Sequence, residues 1–356
     1  MTKIPVKLRL PCSSLTGYGK ISLALIKGLL QSKFIDPEFW ALYNHINDSF
    51  PEEYRSLINT QHNVKNYGIL IGVPSCLSHL STRYRVGYFM YEASDIPFAW
   101  QTDVRKANEI WVPSQYCAMV FGSYNSDVKV VHLGCDSDAF YDNKLSIESK
   151  RLFLNKYFND VDFRKFDYIV GSAGVMSYRK GVDLLLKGFL AAFGNDDKVA
   201  LVIKSRDTRW MPQIDHDNIF VIDTAFKESE MADFYRALDL FALPSRGEGF
   251  GMPPIEAAMC GTPALTTRYS GPAEYIDDKN IWGIDILGEE KVVKMQMAVT
   301  NALWAKIDID NLIDKLRFLR DNRPCIKRSF KYWSYHSMVR RFEDAIKLSY
   351  YKLMHK

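Results

Sequence analysis

The first residues of the chain alternate between apolar and other side chains. The apolar positions are Ile4, Val6, Leu8 and Leu10. This period of two predicts a strand, the glycine-bearing SSLTGYG that follows predicts a turn, and the apolar ISLALIKGLL predicts a helix. Shorter apolar runs recur at residues 85–90, 109–114 and 128–133, with helix-like segments between them. The first part of the chain is therefore expected to form a parallel sheet covered by helices on both faces.

A second series of strands and helices begins at residue 167. DYIVGSAGVM predicts a strand, and KGVDLLLKGFLAAF places its apolar side chains on one face of a helix. KVALVIKS and NIFVID predict two more strands, and SEMADFYRALD predicts a helix with Ser229 as its N-cap. DLFALPS, PPIEAAMC and TPALTT complete the series as strand, helix and strand.

The polar and charged stretch at residues 141–166 separates the two series and is predicted to be a linker or a surface helix. At 356 residues, the chain is also longer than one hydrophobic core usually supports. The predicted fold class is α/β, with two doubly wound Rossmann-like domains at residues 1–150 and 151–334 and a C-terminal helix at 335–356. Such folds bind ligands at the carboxyl ends of their strands, so we expect the ligand in a cleft between the domains.

Composition and charge narrow the class of protein. Hydrophobic residues make up 47% of the chain, and no apolar run approaches the roughly 18 residues that span a bilayer. Lys3 and Lys7 interrupt the apolar pattern at the start, so we expect a cytoplasmic protein, either soluble or peripheral to a membrane. The six cysteines show no CxxC pair, which predicts reduced thiols and no metal site. A net charge of +4 is compatible with an anionic ligand, a membrane surface or nucleic acid.

SRGEGFGMPPIEAAMCGTP, residues 245–263, connects a predicted strand to a predicted helix. Two consecutive prolines in it have no N–H, so the free amides at this helix start belong to Phe250, Gly251 and Met252. Such an end binds anions, and the glycines let a ligand approach the backbone. Glu248 and Glu256 lie in the same stretch.

These two carboxylates would repel phosphate, but each can accept hydrogen bonds from both hydroxyl groups of a vicinal diol. A ligand that carries both phosphates and diols is a nucleotide sugar. One glutamate is then expected to bind the ribose and the other the transferred sugar. In the alternative interpretation, Glu248 is a surface loop acid and Glu256 is a first-turn residue favoured by the helix dipole.

SRGEGFGMPPIEAAMCGTPALTT resembles the donor-site signature of retaining family-4-like glycosyltransferases, in which two glutamates separated by seven residues flank a Gly-Phe-Gly loop. EIWVPSQYCAMVF, VVHLGCDSDAF, RKGVDLLLKGF and FYRALDLFALPS resemble other parts of the same family, and the similarity covers most of residues 80–276. The resemblance implies a GT-B fold with an N-terminal acceptor-binding domain and a C-terminal nucleotide-sugar-binding domain. It also implies that the C-terminal helix crosses back to the first domain and that transfer retains the anomeric configuration.

The resemblance also assigns roles to residues. Glu256 is expected to bind the ribose hydroxyls and Glu248 the donor sugar, with the amides of Phe250 and Gly251 near the sugar and diphosphate. Lys180, in RKG, matches the family's lysine on the donor phosphates. A fixed cation there stabilises the negative charge that grows on the leaving diphosphate.

The chain departs from the family pattern before that lysine. Many relatives have an arginine five or six residues earlier, where this chain has Val175 and Gly174. Arg179 or Lys204 is expected to supply the second cation, with Lys204 preferred because strand ends point into the cleft and Arg206 as a further candidate. In the alternative interpretation, Lys204 is a partly buried, ion-paired lysine.

The first domain carries fewer matches to the family. Thr16, Gly17 and Gly19 are expected to form a loop that faces the donor phosphates and the acceptor, with a plain tight turn as the alternative. Many relatives have a histidine near the end of a central strand, but GYFMYEASDIP has none, so Glu92 beside Tyr91 is proposed as an acceptor-side catalytic residue.

Two residues near the end of the first domain receive structural interpretations. His132 is interpreted as a core residue and Asp136 as a residue that organises the interdomain turn. Neither a Ser-His-Asp or Cys-His arrangement nor an HxxxE-type cluster is evident, so no covalent nucleophile, metal or cofactor is expected.

The predicted function is transfer of a hexose from GDP-mannose or a UDP-hexose to a hydroxyl group of a glycan or lipid-linked acceptor. Three alternatives stay open. The chain could be a sugar phosphorylase, a glycosyltransferase of modified DNA bases, with Trp100, Trp111 and Trp210 stacking on bases, or a catalytically silent nucleotide-sugar-binding protein.

Overall fold

The computed structural model describes residues 2–13, 16–60, 64–194, 196–209, 211–293, 301–327 and 329–355. Ser14 and Leu15 of the predicted first turn, and Trp210, lie outside these residues. The chain divides into two compact units. Unit 1 comprises the described residues of Met1–Gly134, Met297–Ala302 and Tyr332–Lys356, and unit 2 comprises those of Cys135–Gln296 and Leu303–Lys331.

Strands and helices alternate through the first part of the chain. In chain order they are β1 (Ile4–Cys12), α1 (Gly17–Leu30), β2 (Ile35–Ile46), α2 (Glu52–Arg55), β3 (Tyr67–Gly72), β4 (Tyr84–Phe89), α3 (Phe98–Lys106), β5 (Glu109–Val112), α4 (Gln115–Gly122) and β6 (Val128–Val130). The six strands form one sheet in the order β2-β1-β3-β4-β5-β6. All neighbouring pairs are parallel, as the buried apolar runs predict.

A second alternating series follows. Its elements are α5 (Ile147–Asn155), β7 (Tyr168–Ala173), α6 (Val182–Phe193), β8 (Val199–Ser205), β9 (Ile219–Asp223), α7 (Glu228–Arg236), β10 (Leu240–Leu243), α8 (Met252–Met259), β11 (Ala264–Thr267), β12 (Ile281–Ile284), β13 (Ile286–Lys291), β14 (Leu303–Ile307) and α9 (Ile309–Asn322). Six strands form a parallel sheet in the order β12-β11-β10-β7-β8-β9, and β13 and β14 form an antiparallel pair. The last helix, α10 (Tyr335–Met354), belongs to unit 1.

The strand order of unit 2 determines where its loops meet. From β7 the chain adds β8 and β9 on one side and then returns to place β10 on the other side of β7. The loops that follow β7 and β10 therefore leave neighbouring strand ends and diverge. This is the topological switch point, where open α/β sheets bind their ligands.

The core of unit 2 forms where α6 and α9 cover one face of this sheet. The face of α6 predicted from the sequence is buried against α9. It consists of Val182, Leu185, Leu186, Phe189 and Phe193. At Gly188 an added Cβ would lie 3.0 Å from Leu312 of α9, so the two helices pack closely at that glycine.

Three local predictions need correction. The charged stretch 141–166 is not a linker, because it contains α5, whose Phe153 and Leu154 are buried in unit 2; the alternative of a surface helix agrees with α5, several of whose other side chains are exposed. Ser229 lies inside α7 and is not its N-cap, because the helix begins earlier and Glu230 accepts a hydrogen bond from the N–H of Lys227. His132 lies beyond β6 and is half-buried, with its ring hydrogen-bonded to Tyr332 at 2.8 Å, so it is not a core residue.

The unit limits also differ from the predicted domain limits, because residues 135–150 belong to unit 2 and residues 332–334 to unit 1. Within the described ranges, no helix combines the length and the apolar character needed to cross a bilayer.

Candidate functional site

The loop after β10 contains the predicted donor-site signature. It begins beyond Leu243 and ends where α8 starts at Met252. Its neighbour is the loop between β7 and α6, which carries Arg179 and Lys180. Arg246 N–H donates to the carbonyl of Arg179 at 2.7 Å, so the two loops are joined by their backbones at the switch point.

Three predicted residues of these loops are in direct contact. Lys180 Nζ lies 2.6 Å from Glu248 Oε1, and Arg179 Nη1 lies 3.2 Å from Glu248 Oε2. Ser245 Oγ donates to Glu248 Oε1 at 2.8 Å. Glu248 is only 6% exposed, whereas the side chains of Lys180 and Arg179 are 13% and 22% exposed. The carboxylate is therefore buried and is satisfied by two cations that reach toward solvent.

The charge of Glu248 follows from these contacts. Burial alone would raise the pKa of this carboxyl group, because a buried carboxylate loses its hydration. Lys180 and Arg179 outweigh burial and, with the Ser245 hydroxyl, lower the pKa to about 2. Glu248 is thus an ionised acceptor at neutral pH.

The backbone of Glu248 is held from the opposite side by a strained residue. Ser270 has φ +55°, which is uncommon outside glycine, and its Oγ accepts a hydrogen bond from Glu248 N–H at 3.0 Å. The next residue, Gly271, donates its N–H to the carbonyl of Glu248 at 3.0 Å. The position of the glutamate along the loop is fixed at both of its backbone polar groups.

Arg246 anchors the same loop to the rest of unit 2. Its guanidinium makes a bidentate pair with Asp183 of α6, with both distances 2.8 Å, and lies 3.1 Å from Glu290 of β13. It also lies 3.7 Å from the ring centre of Tyr178. A buried arginine between two acidic side chains ties the loop to α6 and β13, so the loop has little freedom to move.

The start of α8 presents backbone N–H groups beside this cluster. Gly251 is the N-cap with φ +84°, and a Cβ there would lie 2.9 Å from Tyr275 Oη, so glycine is required. Tyr275 donates to the carbonyl of Gly251 at 2.5 Å, and its ring makes an edge contact with Phe250. Within the described part of the chain, the N–H groups of Gly251 and Met252 have no protein acceptor. They are available to an anion at the positive end of the helix.

Glu256 lies farther along α8 and is also buried. Its Oε2 accepts a hydrogen bond from Tyr235 of α7 at 2.8 Å. Burial and the nearby Glu256 carboxylate raise the pKa of Tyr235 well above its usual value, so the phenol stays a donor. The alternative interpretation does not hold, because Glu248 is buried and is not a surface loop acid, and Glu256 lies beyond the first turn of α8.

The two candidates for the second cation, Arg179 and Lys204, lie in different surroundings. Arg179 contacts Glu248 directly. Lys204, at the end of β8, is buried with its Nζ 4.9 Å from the ring centre of Phe226. Arg179 therefore shares the site of Lys180, and a role for Lys204 or the exposed Arg206 in donor binding stays a prediction.

The predicted residues of unit 1 lie at the ends of β1 and β4. Gly17 and Gly19 form the first turn of α1 instead of a loop, and Thr16 is its N-cap and accepts the Gly19 N–H at 3.1 Å. A Cβ on Gly19 would lie 1.6 Å from the carbonyl oxygen of Ser13, so this glycine permits a close approach of helix and strand. Glu92 follows β4 and is half-buried. The donor and acceptor roles of these residues stay predictions.

The remaining sequence candidates are structural where they are described. Trp100 and Trp111 are buried. Asp136 Oδ1 accepts the N–H of Asp138 at 2.9 Å, which stabilises a turn. Among the described residues, no group of three or more histidine, cysteine or acidic side chains is arranged to hold a metal ion.

Comparison with known proteins identifies the part of the chain that contains the cluster. Residues 167–305 match the protein family described as Glycosyl transferases group 1. This part of the chain is a group 1 glycosyltransferase domain. The group 1 domain includes Lys180, Arg179, Ser245 and Glu248, which contact one another, and also Glu256.

Individual relatives agree with this assignment. Over 44% of its length the chain is 25% identical to the lipopolysaccharide core biosynthesis mannosyltransferase LpsB of Rhizobium meliloti, and the match covers 42% of that relative. Over 53% of its length it is 27% identical to the O-antigen biosynthesis glycosyltransferase WclY of Escherichia coli, and the match covers 47% of that relative. The chain thus spans less than half the length of these curated relatives.

A solved structure extends the likeness to the whole fold. The structure of HepE from Anabaena, in complex with UDP and glucose, superposes with a TM-score of 0.65 over 97% of this chain and 99% of that chain, at 12% identity. The predicted GT-B fold and the resemblance to family-4-like glycosyltransferases are confirmed.

Sequence reasoning missed several residues that shape the group 1 domain's site. They are Ser245, Arg246, Ser270, Tyr235 and Tyr275. Ser245 and Arg246 lie inside the signature stretch, so their position was a usable signal. Ser270 and Tyr275 lie beyond β11, and nothing in their local sequence indicates a contact with the loop.

Proposed function

We propose that this chain is a retaining glycosyltransferase that moves a hexose from a nucleoside diphosphate sugar to a hydroxyl group of a glycan or lipid-linked acceptor. The observation that carries the proposal is the contact of Lys180 and Arg179 with Glu248 beside the available amides of Gly251 and Met252, within a group 1 domain. Cations and N–H groups suit a diphosphate, and an ionised carboxylate suits the hydroxyls of a sugar.

The proposed binding mode divides the ligand among these groups. The diphosphate would lie against Lys180, Arg179 and the start of α8, and Glu248 would accept hydrogen bonds from the donor sugar. Glu256 would accept them from the ribose, with the Tyr235 hydroxyl on its other oxygen as an orienting donor. In this mode every carboxylate faces hydroxyl groups and every cation faces phosphate.

The chemistry follows from the charge that develops. When the bond between the anomeric carbon and the phosphate oxygen breaks, its electron pair passes to that oxygen, and Lys180 and Arg179 stabilise the new charge. The acceptor hydroxyl attacks the same face of the oxocarbenium-like sugar that the phosphate leaves. Its proton passes to the departing phosphate oxygen. Because attack and departure take place on the same face, the anomeric configuration is retained. Glu92 of unit 1 is proposed as the acceptor-side residue.

The names of similar proteins indicate which nucleotide-sugar donors to test first. LpsB is named a mannosyltransferase and HepE was solved with UDP and glucose, so GDP-mannose and UDP-glucose are the first candidates. The proposed enzyme acts in the cytoplasm or at a membrane surface and uses no metal, because Lys180 and Arg179 would neutralise the diphosphate in place of a metal ion. We do not favour a DNA acceptor, because Trp100 and Trp111 are buried and are not placed to stack on bases.

The experiment that tests the proposal is a titration of the protein with UDP, GDP and their hexose conjugates, followed by assay of nucleoside diphosphate release with candidate acceptors. We expect binding of one nucleotide series and release only when an acceptor is present. The anomeric proton of the product, read by NMR, should keep the configuration of the donor. Activity should survive a chelator. If neither nucleotide series binds, the proposal is wrong, and inversion of configuration would exclude its stereochemical part.

A further inference from the structure

Glu248 occupies an unusual position for a residue proposed to bind a sugar. The same two cations that we assign to the diphosphate are the ionic partners of this carboxylate, at 2.6 and 3.2 Å. A diphosphate that approaches Lys180 and Arg179 therefore also approaches a buried negative charge. A diphosphate and a carboxylate that share the same two cations repel each other strongly where water is excluded.

The contact leaves the diphosphate two ways to bind. It can share the cations with Glu248 and tolerate the repulsion, or it can draw the cations away from the carboxylate. In the second case Glu248 loses its main compensation while it remains buried, which is costly for an ionised group. Ser245, which donates to Oε1 at 2.8 Å, would remain as a neutral partner but cannot replace two cations.

A sugar joined to the diphosphate changes this balance. Its hydroxyl groups can donate to the carboxylate that the cations have partly released. The bare nucleoside diphosphate has no such donors on this side of the phosphates. The donor conjugate and the product that leaves after transfer therefore differ in whether Glu248 is compensated.

We propose that Glu248 determines specificity by competing with the diphosphate for Lys180 and Arg179, so that a nucleoside diphosphate sugar binds well and the bare nucleoside diphosphate binds poorly. This inference rests on the proposed function and adds a consequence for turnover. The carboxylate selects the substrate over its own product and promotes release of the nucleoside diphosphate after the sugar has been transferred.

The variant that tests the inference is Glu248→Gln, which keeps the size of the side chain and removes its negative charge. Calorimetric titration of UDP, GDP, UDP-glucose and GDP-mannose should show that the bare nucleoside diphosphate of the preferred series binds about tenfold more tightly than to the wild type. The sugar conjugate should not gain affinity, because it loses an ionised acceptor for its hydroxyls. The ratio of the two dissociation constants should therefore move toward or past one.

Glu256→Gln is the matched control. This residue is also a buried glutamate of the group 1 domain, and it accepts a hydrogen bond from the neutral hydroxyl of Tyr235. The ribose is common to both ligands, so the control variant should weaken both to a similar extent. Its ratio of dissociation constants should stay near the wild-type value.

A double-mutant cycle connects the effect to the cations. Lys180→Ala should weaken nucleoside diphosphate binding more in the Glu248→Gln background than in the wild type, because Lys180 is no longer neutralised by the carboxylate. If Glu248→Gln does not fold, Ser245→Ala tests the same point with all charges present. It removes the neutral partner that remains on the carboxylate when the cations are drawn away, so the bare nucleoside diphosphate should weaken relative to its sugar conjugate, and the ratio should move away from one by about threefold.

The outcomes separate the inference from the function on which it rests. A wild-type protein that binds none of the four nucleotides contradicts the proposed function itself. A wild-type protein that binds them, with a Glu248→Gln variant whose ratio is unchanged or moves the other way, overturns only the inference. In that case Glu248 is a sugar ligand without a role against the product.

Discussion

Two buried carboxylates of this protein are satisfied in opposite ways. Glu248 of unit 2 is held by the charged ends of Lys180 and Arg179, which are long, partly exposed side chains on a loop. Glu109 of unit 1 is fully buried at the start of β5. Its oxygens accept hydrogen bonds from three neutral groups: Tyr84 Oη at 2.8 Å, Trp111 Nε1 at 2.9 Å and Ser349 Oγ at 3.0 Å.

The difference indicates which carboxylate can change partners. The donors on Glu109 belong to β4, β5 and α10, so exchanging them would require the unit to unpack. Lys352 lies 3.4 Å from Glu109 but is shared with Asp127 at 3.0 Å. Lys180 and Arg179 instead extend from a loop with side chains 13% and 22% exposed, and Arg179 also donates to the carbonyl of Gly247 at 2.6 Å. A carboxylate held by fixed neutral donors is typical of a structural role, and one held by movable cations suits a ligand site.

Glu109→Ala is expected to give the largest effect, and on stability alone. It removes the acceptor that Tyr84, Trp111 and Ser349 share, and with it the hydrogen bond from Ser349 of α10 to Glu109 of β5. We expect a loss of about 3 to 5 kcal/mol in the free energy of unfolding, measured by denaturant titration. Turnover per folded molecule should be unchanged. A loss below about 1 kcal/mol would show that water or Lys352 compensates these donors, and the contrast with Glu248 would disappear.

Local sequence patterns predict some of these features and not others. The resemblance to family-4-like glycosyltransferases implied that Lys180 and Glu248 serve the same ligand, and the structure brings these two side chains into contact. The hydrogen bond between Glu248 and Ser270 joins residues 22 positions apart in the sequence, and that between Arg246 and Asp183 joins residues 63 positions apart. Such contacts depend on strand order and loop direction, which no local period encodes. The same limit explains why sequence reasoning preferred Lys204 to Arg179 as the second cation. Only the geometry shows that Arg179, and not Lys204, pairs with Glu248.

The failed predictions also have physical reasons. The run of charges around α5 left a linker open beside a surface helix, because the buried Phe153 and Leu154 are outweighed in the sequence by polar neighbours. His132 follows an apolar strand, but β6 ends at Val130, so the alternation no longer determines which side chains are buried. In both cases tertiary packing overrode a correct local pattern.

Glu248→Ala is expected to affect chemistry more than stability. Its loss removes the proposed acceptor for the donor sugar, and turnover should fall by about 100- to 1000-fold, as for other single groups aligned with a transition state. Lys180 and Arg179 can hydrate when the carboxylate is absent, so unfolding should change less than for Glu109→Ala. Steady-state kinetics and denaturant titration on the same preparation measure both quantities. Unchanged turnover would refute the role assigned to Glu248.

The pH dependence of stability is expected to give the smallest effect and to separate the two kinds of partner. Lys180 and Arg179 lower the pKa of Glu248 from 4.5 to about 2 against the opposing effect of burial. A depressed pKa contributes stability that is present above the unfolded value and is lost as pH falls toward the folded value. The advantage of the wild type over Glu248→Gln should therefore shrink by about 3 kcal/mol at most between about pH 5 and pH 2.

Repeating the pH titration of stability at high salt tests whether Glu248 and Glu109 rely on different kinds of partner. The pKa of Glu109 is also lowered, with burial again the opposing cause, but mainly by hydrogen bonds from Trp111, Tyr84 and Ser349. Ions screen partly exposed cations far more than buried neutral donors. The acid-dependent difference for Glu248→Gln should therefore diminish in about 1 M salt, whereas that for Glu109→Gln should persist. Equal salt sensitivity would mean that both carboxylates rely on the same kind of partner. Movable cations would then no longer distinguish the ligand site from the core.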